Sequence, residues 1–292
     1  MPLSPLLRLP LPATLIAWSL PEALVAQVRN AVGRDSRLVA VQTGADVQTQ
    51  LRASTSLCLI VPVLRDRFDP FWSEYIALRE RFPNVPVIAV AVAGVSSMQA
   101  ALRLSQLGVS DLLDANEGLR ADEIRAALSK TYSDATAMRV WKLIEEAFAR
   151  QESAFPDDLT TMMKRSLRYA HEHLPASKLA ALMQMHERTL RKFCETRRLP
   201  SPQIIAGWAR LLIAALYIEE RGRTFVSIAR LLGYPTVGAL RKQITRYTHR
   251  SPKQLRDAGA MAVSLQLLCE ALHAGGTQQP VNDERPHLVL LA

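Results

Sequence analysis

Three cationic side chains lie within a span of five residues in the segment QMHERTLRKFCETRRL (184–199): Arg188, Arg191 and Lys192. Residues three and four apart share one face of a helix, so these side chains can act together. An arginine guanidinium can form a bidentate hydrogen bond with guanine, which contributes about 1–3 kcal/mol of discrimination. The alternative is a solvated basic helix surface. Side chains of this kind could contact bases or phosphates of a nucleic acid.

A second and clearer pattern of the same kind lies about fifty residues downstream, in FVSIARLLGYPTVGALRKQITRYTHRSP (225–252). It predicts a short helix, a turn at Gly233, and a basic amphipathic helix that ends at Ser-Pro. Its periodicity buries Leu240 and Ile244 and places Arg241, Lys242 and Arg246 on the other faces of the helix.

The charge of the chain is concentrated in its second half. Residues 1–134 carry 13 Lys and Arg against 13 Asp and Glu, whereas residues 157–256 carry 19 against 7, a net charge of +12. Lys and Arg release the counterions that condense on phosphates, so a basic excess favours a polyanionic partner. A length of 292 residues allows two domains. We therefore expect a neutral domain followed by a basic one.

The first half alternates short apolar runs with helical patterns. Five such units predict a doubly wound, five-stranded parallel sheet. The predicted strands are 14–19, 37–41, 57–64, 85–92 and 109–115, and the predicted helices are 21–33, 45–54, 71–82, 97–108 and 119–132.

The size and order of these units resemble the receiver domain of bacterial response regulators, which has a flavodoxin-like topology. The phosphorylation residues of that family are missing from the corresponding places. The first strand ends at Trp18 and Ser19 instead of an acidic pair, and the third strand contains Pro62 where the acceptor aspartate is expected. Asp66 and Asp69 follow on a predicted loop. We therefore expect no aspartyl phosphorylation of this domain.

From residue 157 onward every pattern is helical, with Ser177 and Thr224 as candidate N-caps. The stretches KLAALMQMHERTLRKF, SPQIIAGWARLLIAALYI and FVSIARLLGY followed by RKQITRYTHRSPKQLR resemble the DNA-binding domain of AraC/XylS-type transcription regulators. The resemblance covers residues 157–256. It implies two helix-turn-helix units joined by a long central helix, which sets two recognition helices about one DNA turn, roughly 34 Å, apart. Carried over by position, the resemblance implies a first recognition helix that starts near His186 and faces the groove with Arg188, Arg191 and Lys192, with Thr189 and Glu187 nearby. Leu190 and Phe193 should then belong to the core.

In the second unit the resemblance implies contacts from Val237, Gly238, Arg241, Lys242, Thr245 and Arg246. Val237 and Gly238 offer no side-chain donors, so we expect this unit to read bases poorly, with Thr245 and Arg246 holding phosphates instead.

The chain departs from the pattern of that family at several turns. His249 stands where a glycine usually precedes Ser-Pro, and Leu199 occupies the matching place in the first unit. Gln184 replaces the glycine that is expected in the first turn. Aromatic positions of the second unit are filled by Leu240, Ile244 and Thr248.

The predicted organisation has four parts: a receiver-like α/β domain at 13–132, a linker helix within 133–156, an all-α double helix-turn-helix domain at 157–256, and a C-terminal helix with a disordered tail at 257–292. The helix at 262–273 is expected to pack on a neighbouring domain or to contact a partner. The fold class is therefore α/β plus all-α.

Other kinds of site are not supported by spacing. Cys58, Cys194 and Cys269 are far apart, which argues against disulfides and zinc sites. His171 and His173 point to different helix faces and should be surface residues. No catalytic, cofactor or phosphate-loop motif occurs, so we expect neither an enzyme nor a bound cofactor. The apolar segment 204–218 contains Arg210 and predicts a buried helix rather than a membrane span, and we expect a cytoplasmic protein.

Together these patterns and resemblances predict a sequence-specific DNA-binding transcription regulator that is not controlled by aspartyl phosphorylation of its receiver-like domain. The alternative is a ligand-sensing or protein-interaction module whose DNA-binding domain is degenerate. Double-stranded promoter or operator DNA is the implied partner. A homodimer through the N-terminal domain, RNA polymerase, and a small-molecule or protein effector remain open as further partners.

Overall fold

The computed structural model describes residues 10–53, 57–63, 70–91, 105–115, 118–172, 174–220 and 223–273, and the chain divides into two compact units between Arg139 and Val140. The first unit contains a five-stranded parallel sheet with the order β2-β1-β3-β4-β5. This order is that of flavodoxin-like sheets. The strands are β1 Thr14–Trp18, β2 Arg37–Val41, β3 Leu57–Val63, β4 Val87–Ala91 and β5 Asp111–Asp114.

Helices cover both faces of this sheet, because successive side chains of a strand point to opposite faces. Leu15, Ile60 and Val90 pack toward α1 (Glu22–Val32) and toward the first turns of α4 (Ala121–Ala149). Residues of opposite parity, such as Ile16, Leu59 and Ala89, pack toward α2 (Gly44–Ala53) and α3 (Pro70–Arg81). The predicted doubly wound parallel sheet is confirmed. Most of the helix predicted over 97–108 lies outside the described residues.

The helix α4 differs from the expectation of a separate linker helix. It runs without interruption for 29 residues from Ala121 to Ala149 and passes through the predicted break at 132–133. No proline or glycine occurs within it, so nothing in the sequence stops the helix there. Phe155 then packs edge-on against Trp141 and Phe148, at 5.1 and 5.2 Å between ring centroids. The other predicted domain boundaries stay predictions.

The second unit is helical throughout its described elements and is organised around α8. Of the residues of α8, 14 are buried, and it is contacted by α5, α6, α7, α9, α10, α11 and α12. The helices are α5 Asp157–Arg168, α6 Ala176–Leu182, α7 Glu187–Thr196, α8 Pro202–Glu219, α9 Phe225–Leu231, α10 Val237–Thr248, α11 Pro252–Asp257 and α12 Ala260–His273.

The predicted buried helix is confirmed in α8, and no helix among the described residues has the length and apolar character needed to cross a membrane. The C-terminal helix α12 is an integral part of the second unit: it packs on α8, and the backbone N–H of Met261 donates to Glu219 at 2.7 Å. Residues 274–292, where the tail is predicted, lie outside the described residues.

Helix starts follow the sequence in part. Thr224 caps α9 in a reciprocal capping box with Ser227, as predicted. Ser177 does not cap α6: that helix starts at Ala176, directly after Pro175, so Ser177 lies within it, and it has no side-chain cap. Proline fixes its own φ near the value that precedes a helix, which explains why the start lies there.

Candidate nucleic-acid interface

Two pairs of short helices, α6–α7 and α9–α10, carry all the predicted contact residues. In each pair the chain turns through one residue in the left-handed conformation, Gln184 (φ 56°) in the first and Gly233 (φ 66°) in the second. Gln184 was expected to replace a turn glycine, and it adopts the same conformation as Gly233. The second connection is one residue longer, because α10 starts four residues after Gly233 and α7 starts three after Gln184.

The helices α7 and α10 repeat one another with an offset of fifty residues. Leu190 and Cys194 are the buried residues of α7, and Leu240 and Ile244 occupy the equivalent buried places in α10. The tripeptide Leu-Arg-Lys occurs in both, at 190–192 and 240–242. Because the buried leucine sets the rotation of each helix, the arginine and lysine that follow it point away from the core in both.

The contact residues predicted on the first pair are exposed and lie on the same helix. Arg188, Thr189, Arg191 and Lys192 all project from α7. Arg191 also has a partner on its own helix: its Nη2 and Nε donate to Oε1 of Glu187 at 2.6 and 3.1 Å. The face opposite Leu190 is therefore basic, with one arginine held in place.

Phe193 was expected in the core but is only half-buried. Its ring lies at the edge of the buried face, where the guanidinium of Arg197 covers it at 4.3 Å. Arg197 in turn pairs with Asp158 at 3.3 Å. The buried position one turn after Leu190 belongs to Cys194, whose pKa is raised to about 11 by burial.

The residues predicted on the second pair are also brought together on one helix. Gly238, Arg241, Lys242, Thr245 and Arg246 are exposed on α10, and Val237 is half-buried. The hydroxyl of Thr245 donates to the carbonyl of Arg250 at 3.3 Å. This bond ties the helix to the turn that follows it, so Thr245 has a structural role as well.

Sequence reasoning missed two basic residues beside α10. Arg250 and Lys253 are exposed on either side of Ser251 and Pro252, directly after the left-handed residue His249 (φ 52°). The signal that could have found them is the basic spacing Arg246, Arg250, Lys253, which continues past the helix end. His249 was expected at this glycine-like position. In the first helix pair the left-handed residue is Arg198 (φ 55°), not Leu199, because α7 ends at Thr196, two residues before the place that matches the end of α10.

A buried polar cluster fixes the second pair to the central helix. Arg210 of α8 donates from Nη2 to the carbonyl oxygen of Leu232 at 2.5 Å, and its guanidinium stacks on Tyr234 at 4.1 Å. Leu232 is the C-cap residue that directly follows the last residue of α9, so the arginine satisfies a carbonyl that the helix leaves unpaired. The turn around Gly233 is thereby held against α8.

His171 was expected at the surface, but it is a half-buried residue of the same cluster. Its Nε2 lies 2.7 Å from the hydroxyl of Tyr217. Burial lowers the pKa of His171 to about 3, and the positive charges of Arg223 and Arg210 act in the same direction. His173 lies outside the described residues.

The end of β1, in the sheet of the N-terminal compact unit, is surrounded by aromatic side chains. Trp18 ends β1, is buried, and lies 4.5 Å from the ring of Phe71 and 6.4 Å from that of Tyr75. Its Nε1 donates to the carbonyl of Gln42 at 3.3 Å. All seven residues of β3 are buried, and none is acidic. Asp66 and Asp69 lie outside the described residues.

The described cysteines Cys58, Cys194 and Cys269 are buried free thiols, and burial raises the pKa of each. Within the described ranges no group of three or more His, Cys, Asp or Glu side chains is placed to hold a metal ion.

Comparison with known proteins gives structural neighbours and no sequence family. No family model and no curated protein matches the chain. Among solved structures, the signal receiver domain of a LuxO repressor protein from Vibrio parahaemolyticus is 18% identical, with a TM-score of 0.37, and covers 46% of this chain and 98% of its own. The response regulator StyR is 13% identical (TM-score 0.36, 67% and 96% covered), and full-length FixJ from B. japonicum is 13% identical (TM-score 0.35, 67% and 97% covered). At these values the neighbours carry no argument on their own, and the receiver-like architecture of the first unit rests on its strand order and parallel pairing.

Proposed function

We propose that this protein is a sequence-specific, double-stranded DNA-binding transcription regulator of the AraC/XylS type, without enzymatic activity. Its two helix pairs act as two helix-turn-helix units, with α7 and α10 as recognition helices. The observation that carries the proposal is the fifty-residue repeat between these helices, in which the same buried positions are followed by the same outward Arg-Lys pair.

The repeat supports a two-site interaction with a regular polyanion. The central helix α8 joins the pairs and has 18 residues, a length of about 27 Å at the usual rise. Both pairs pack against this one helix, so their recognition helices are held on a common scaffold. Two recognition helices on one scaffold suit successive major grooves of a duplex.

The two helix-turn-helix units differ in charge, and this supports different roles for them in DNA binding. The helix α7 carries Glu187 and Glu195 among its basic residues, whereas α10 contains no acidic residue. Beyond α10, Arg250 and Lys253 extend the basic surface. A purely basic surface favours phosphates regardless of sequence, and a mixed one permits selective hydrogen bonding. We therefore propose that the first unit reads bases and the second anchors the domain.

We propose that the N-terminal compact unit, which contains the sheet, acts without an aspartyl phosphate. Trp18 and Phe71 fill the region at the end of β1 where a magnesium site would need carboxylates. The signal is then a ligand, a protein partner, or a second copy of the chain.

The test is selection of bound duplexes from a random-sequence library by the full-length protein, followed by titration of the enriched site between 50 and 200 mM salt. We expect a preferred site and a linear fall of log K with log salt, with a slope near −0.9 per phosphate contact. Arg246→Ala should flatten the slope, whereas the charge-matched control Arg52→Ala in α2 of the first unit should not. No enriched site, with weak and uniform binding, would instead favour the degenerate-domain alternative.

A further inference from the structure

Arg191 and Arg241 occupy equivalent places in α7 and α10 but differ in what precedes them by one helical turn. The residue four positions before Arg191 is Glu187, and the residue four positions before Arg241 is Val237. The arginine of the first unit therefore has a carboxylate within reach, and its equivalent in the second unit has an isopropyl group. The repeat makes each helix the natural control for the other.

The contact between Glu187 and Arg191 involves one edge of the guanidinium. Nε and Nη2 both donate to Oε1, so two of the five N–H groups are engaged. Three N–H groups remain, which is enough for a bidentate bond to O6 and N7 of a guanine. The carboxylate thus fixes the rotamer and leaves a usable donor edge.

The pair adds little to the stability of the fold. The side chains are 51% and 39% exposed, and an exposed pair at i, i+4 contributes about 0.3–0.5 kcal/mol. A carboxylate on a helix that approaches phosphates also weakens binding through repulsion. Glu187 also lies in the first turn of α7, where a carboxylate gains about 0.3–1 kcal/mol from the helix dipole. Both contributions to stability are small, and what distinguishes Glu187 from other first-turn carboxylates is its bond to Arg191. Arginine carries about 2 kcal/mol of side-chain entropy, much of which a fixed rotamer loses before binding.

We infer that Glu187 is a specificity-determining positioning residue, which holds Arg191 in the orientation that reads a guanine. Arg241 has no such partner at the equivalent place and contacts phosphate instead. This inference rests on the proposed function and names the residue that separates the reading unit from the anchoring one.

The test compares full-length wild type with Glu187→Ala, Glu187→Gln and the matched control Glu195→Gln, which removes an exposed carboxylate from the same helix. The measured quantity is the discrimination ratio, which is the Kd for a version of the selected site with one guanine of the first half-site replaced, divided by the Kd for the selected site itself. We expect Glu187→Ala to lower that ratio by about 10-fold at one position, with binding to non-specific DNA unchanged or tighter. Glu187→Gln should retain part of the discrimination because its amide oxygen still accepts, and Glu195→Gln should retain all of it.

Two further variants connect the effect to Arg191. In an Arg191→Ala background, Glu187→Ala should lower discrimination no further. In the second unit, Val237→Glu should place a carboxylate beside Arg241 and raise discrimination at one position of the second half-site. Urea unfolding of each variant, followed by circular dichroism, checks that the fold is retained.

The possible outcomes distinguish a failure of this inference from a failure of the proposed function. If Glu187→Ala and Glu195→Gln change specific and non-specific affinity by the same factor and leave discrimination intact, Glu187 acts through charge alone and the inference is wrong. If wild type selects no site at all, the proposed function fails first.

Discussion

Tyr247 of α10 lies directly over Gly207 of α8, so the absence of a side chain at Gly207 determines how closely the second recognition helix approaches the central one. A Cβ at Gly207 would lie 2.6 Å from Cζ of Tyr247 and closer still to its hydroxyl oxygen. That hydroxyl donates to the carbonyl of Ile204 at 3.3 Å, and Gln243 donates to the carbonyl of Gly207 at 3.3 Å. The Tyr247 ring also meets Trp208 edge-on at 4.9 Å.

Gly207→Ala is therefore expected to destabilise the C-terminal compact unit. Alanine gains about 1 kcal/mol of helix propensity over glycine, but a clash in a packed interface typically costs about 1–3 kcal/mol, and the buried tyrosine has little room to move. The measurement is the free energy of unfolding of the full chain in urea. The control is Gly238→Ala on α10, whose Cβ would meet only Thr236 Oγ1 at 3.5 Å, and which should be neutral or stabilising. Equal stabilisation by both changes would contradict this packing.

Gln184→Gly is expected to stabilise the protein. The left-handed conformation destabilises a residue with a Cβ by about 1–2 kcal/mol. Glycine avoids this strain but loses about 0.5–1 kcal/mol of the advantage, because its unfolded state has more conformational freedom. The net expectation is a gain of up to about 1 kcal/mol in the free energy of unfolding. The reciprocal change Gly233→Gln should be destabilising, because it adds the same strain and its Cβ would lie 3.2 Å from the carbonyl oxygen of His171. Destabilisation by Gln184→Gly would show that the glutamine side chain supports the turn.

Local patterns predicted most of the fold because they are governed by local physics. The five strands and the helix α8 follow from apolar runs and periodicity, and each appeared within a few residues of its prediction. The continuity of α4 was missed although residues 121–149 contain no glycine or proline that would end a helix, a signal that the predicted break at 132–133 did not take into account. His171 was misassigned for another reason: its burial depends on Tyr217, which lies 46 residues away.

The candidate interface shows the same limit. The exposed positions of α7 and α10 could be predicted from the alternation around Leu190 and Leu240. The pairing of Arg191 with Glu187 could have been read from their spacing, but the choice of partner depends on rotamers. The anchoring of Leu232 by Arg210 brings together residues 22 apart, which periodicity does not predict.

The free energy of unfolding of the C-terminal compact unit should fall as pH decreases from neutral. His171 has a folded-state pKa of about 3, below its usual value of 6.5, so the unfolded chain binds a proton that the folded chain does not. The contribution of His171 is therefore complete above pH 6.5 and is lost progressively between pH 6.5 and 3, at up to about 1.4 kcal/mol per pH unit. Urea midpoints at pH 7.5, 6.5, 5.5 and 5.0 measure it. His171→Gln should give a flatter profile, and identical profiles for both proteins would contradict the assignment.

Phosphodonors should leave the N-terminal compact unit, which contains the sheet, unmodified. Trp18 and Phe71 occupy the end of β1, and the seven buried residues of β3 include no carboxylate, so these described residues offer neither a magnesium ligand nor a phosphate acceptor. Incubation of the full chain with acetyl phosphate and Mg²⁺, followed by intact mass measurement, should show no added phosphoryl group. Asp66→Ala and Asp69→Ala should leave DNA affinity unchanged. Incorporation that is lost in either variant would contradict the prediction.

Arg191→Ala and Arg246→Ala should affect DNA binding in different ways. Arg191 lies on the unit proposed to read bases, so its loss should weaken the selected site by about 1–3 kcal/mol while non-specific binding changes little. Arg246 lies in the purely basic unit, so its loss should weaken both alike and reduce the salt slope by about 1. A base-substitution scan of both half-sites completes the comparison, with the larger losses expected at the half-site of the first unit. Equal or larger losses at the second would overturn the division of labour, and intact site preference in Arg191→Ala would show that α7 is wrongly placed on the DNA.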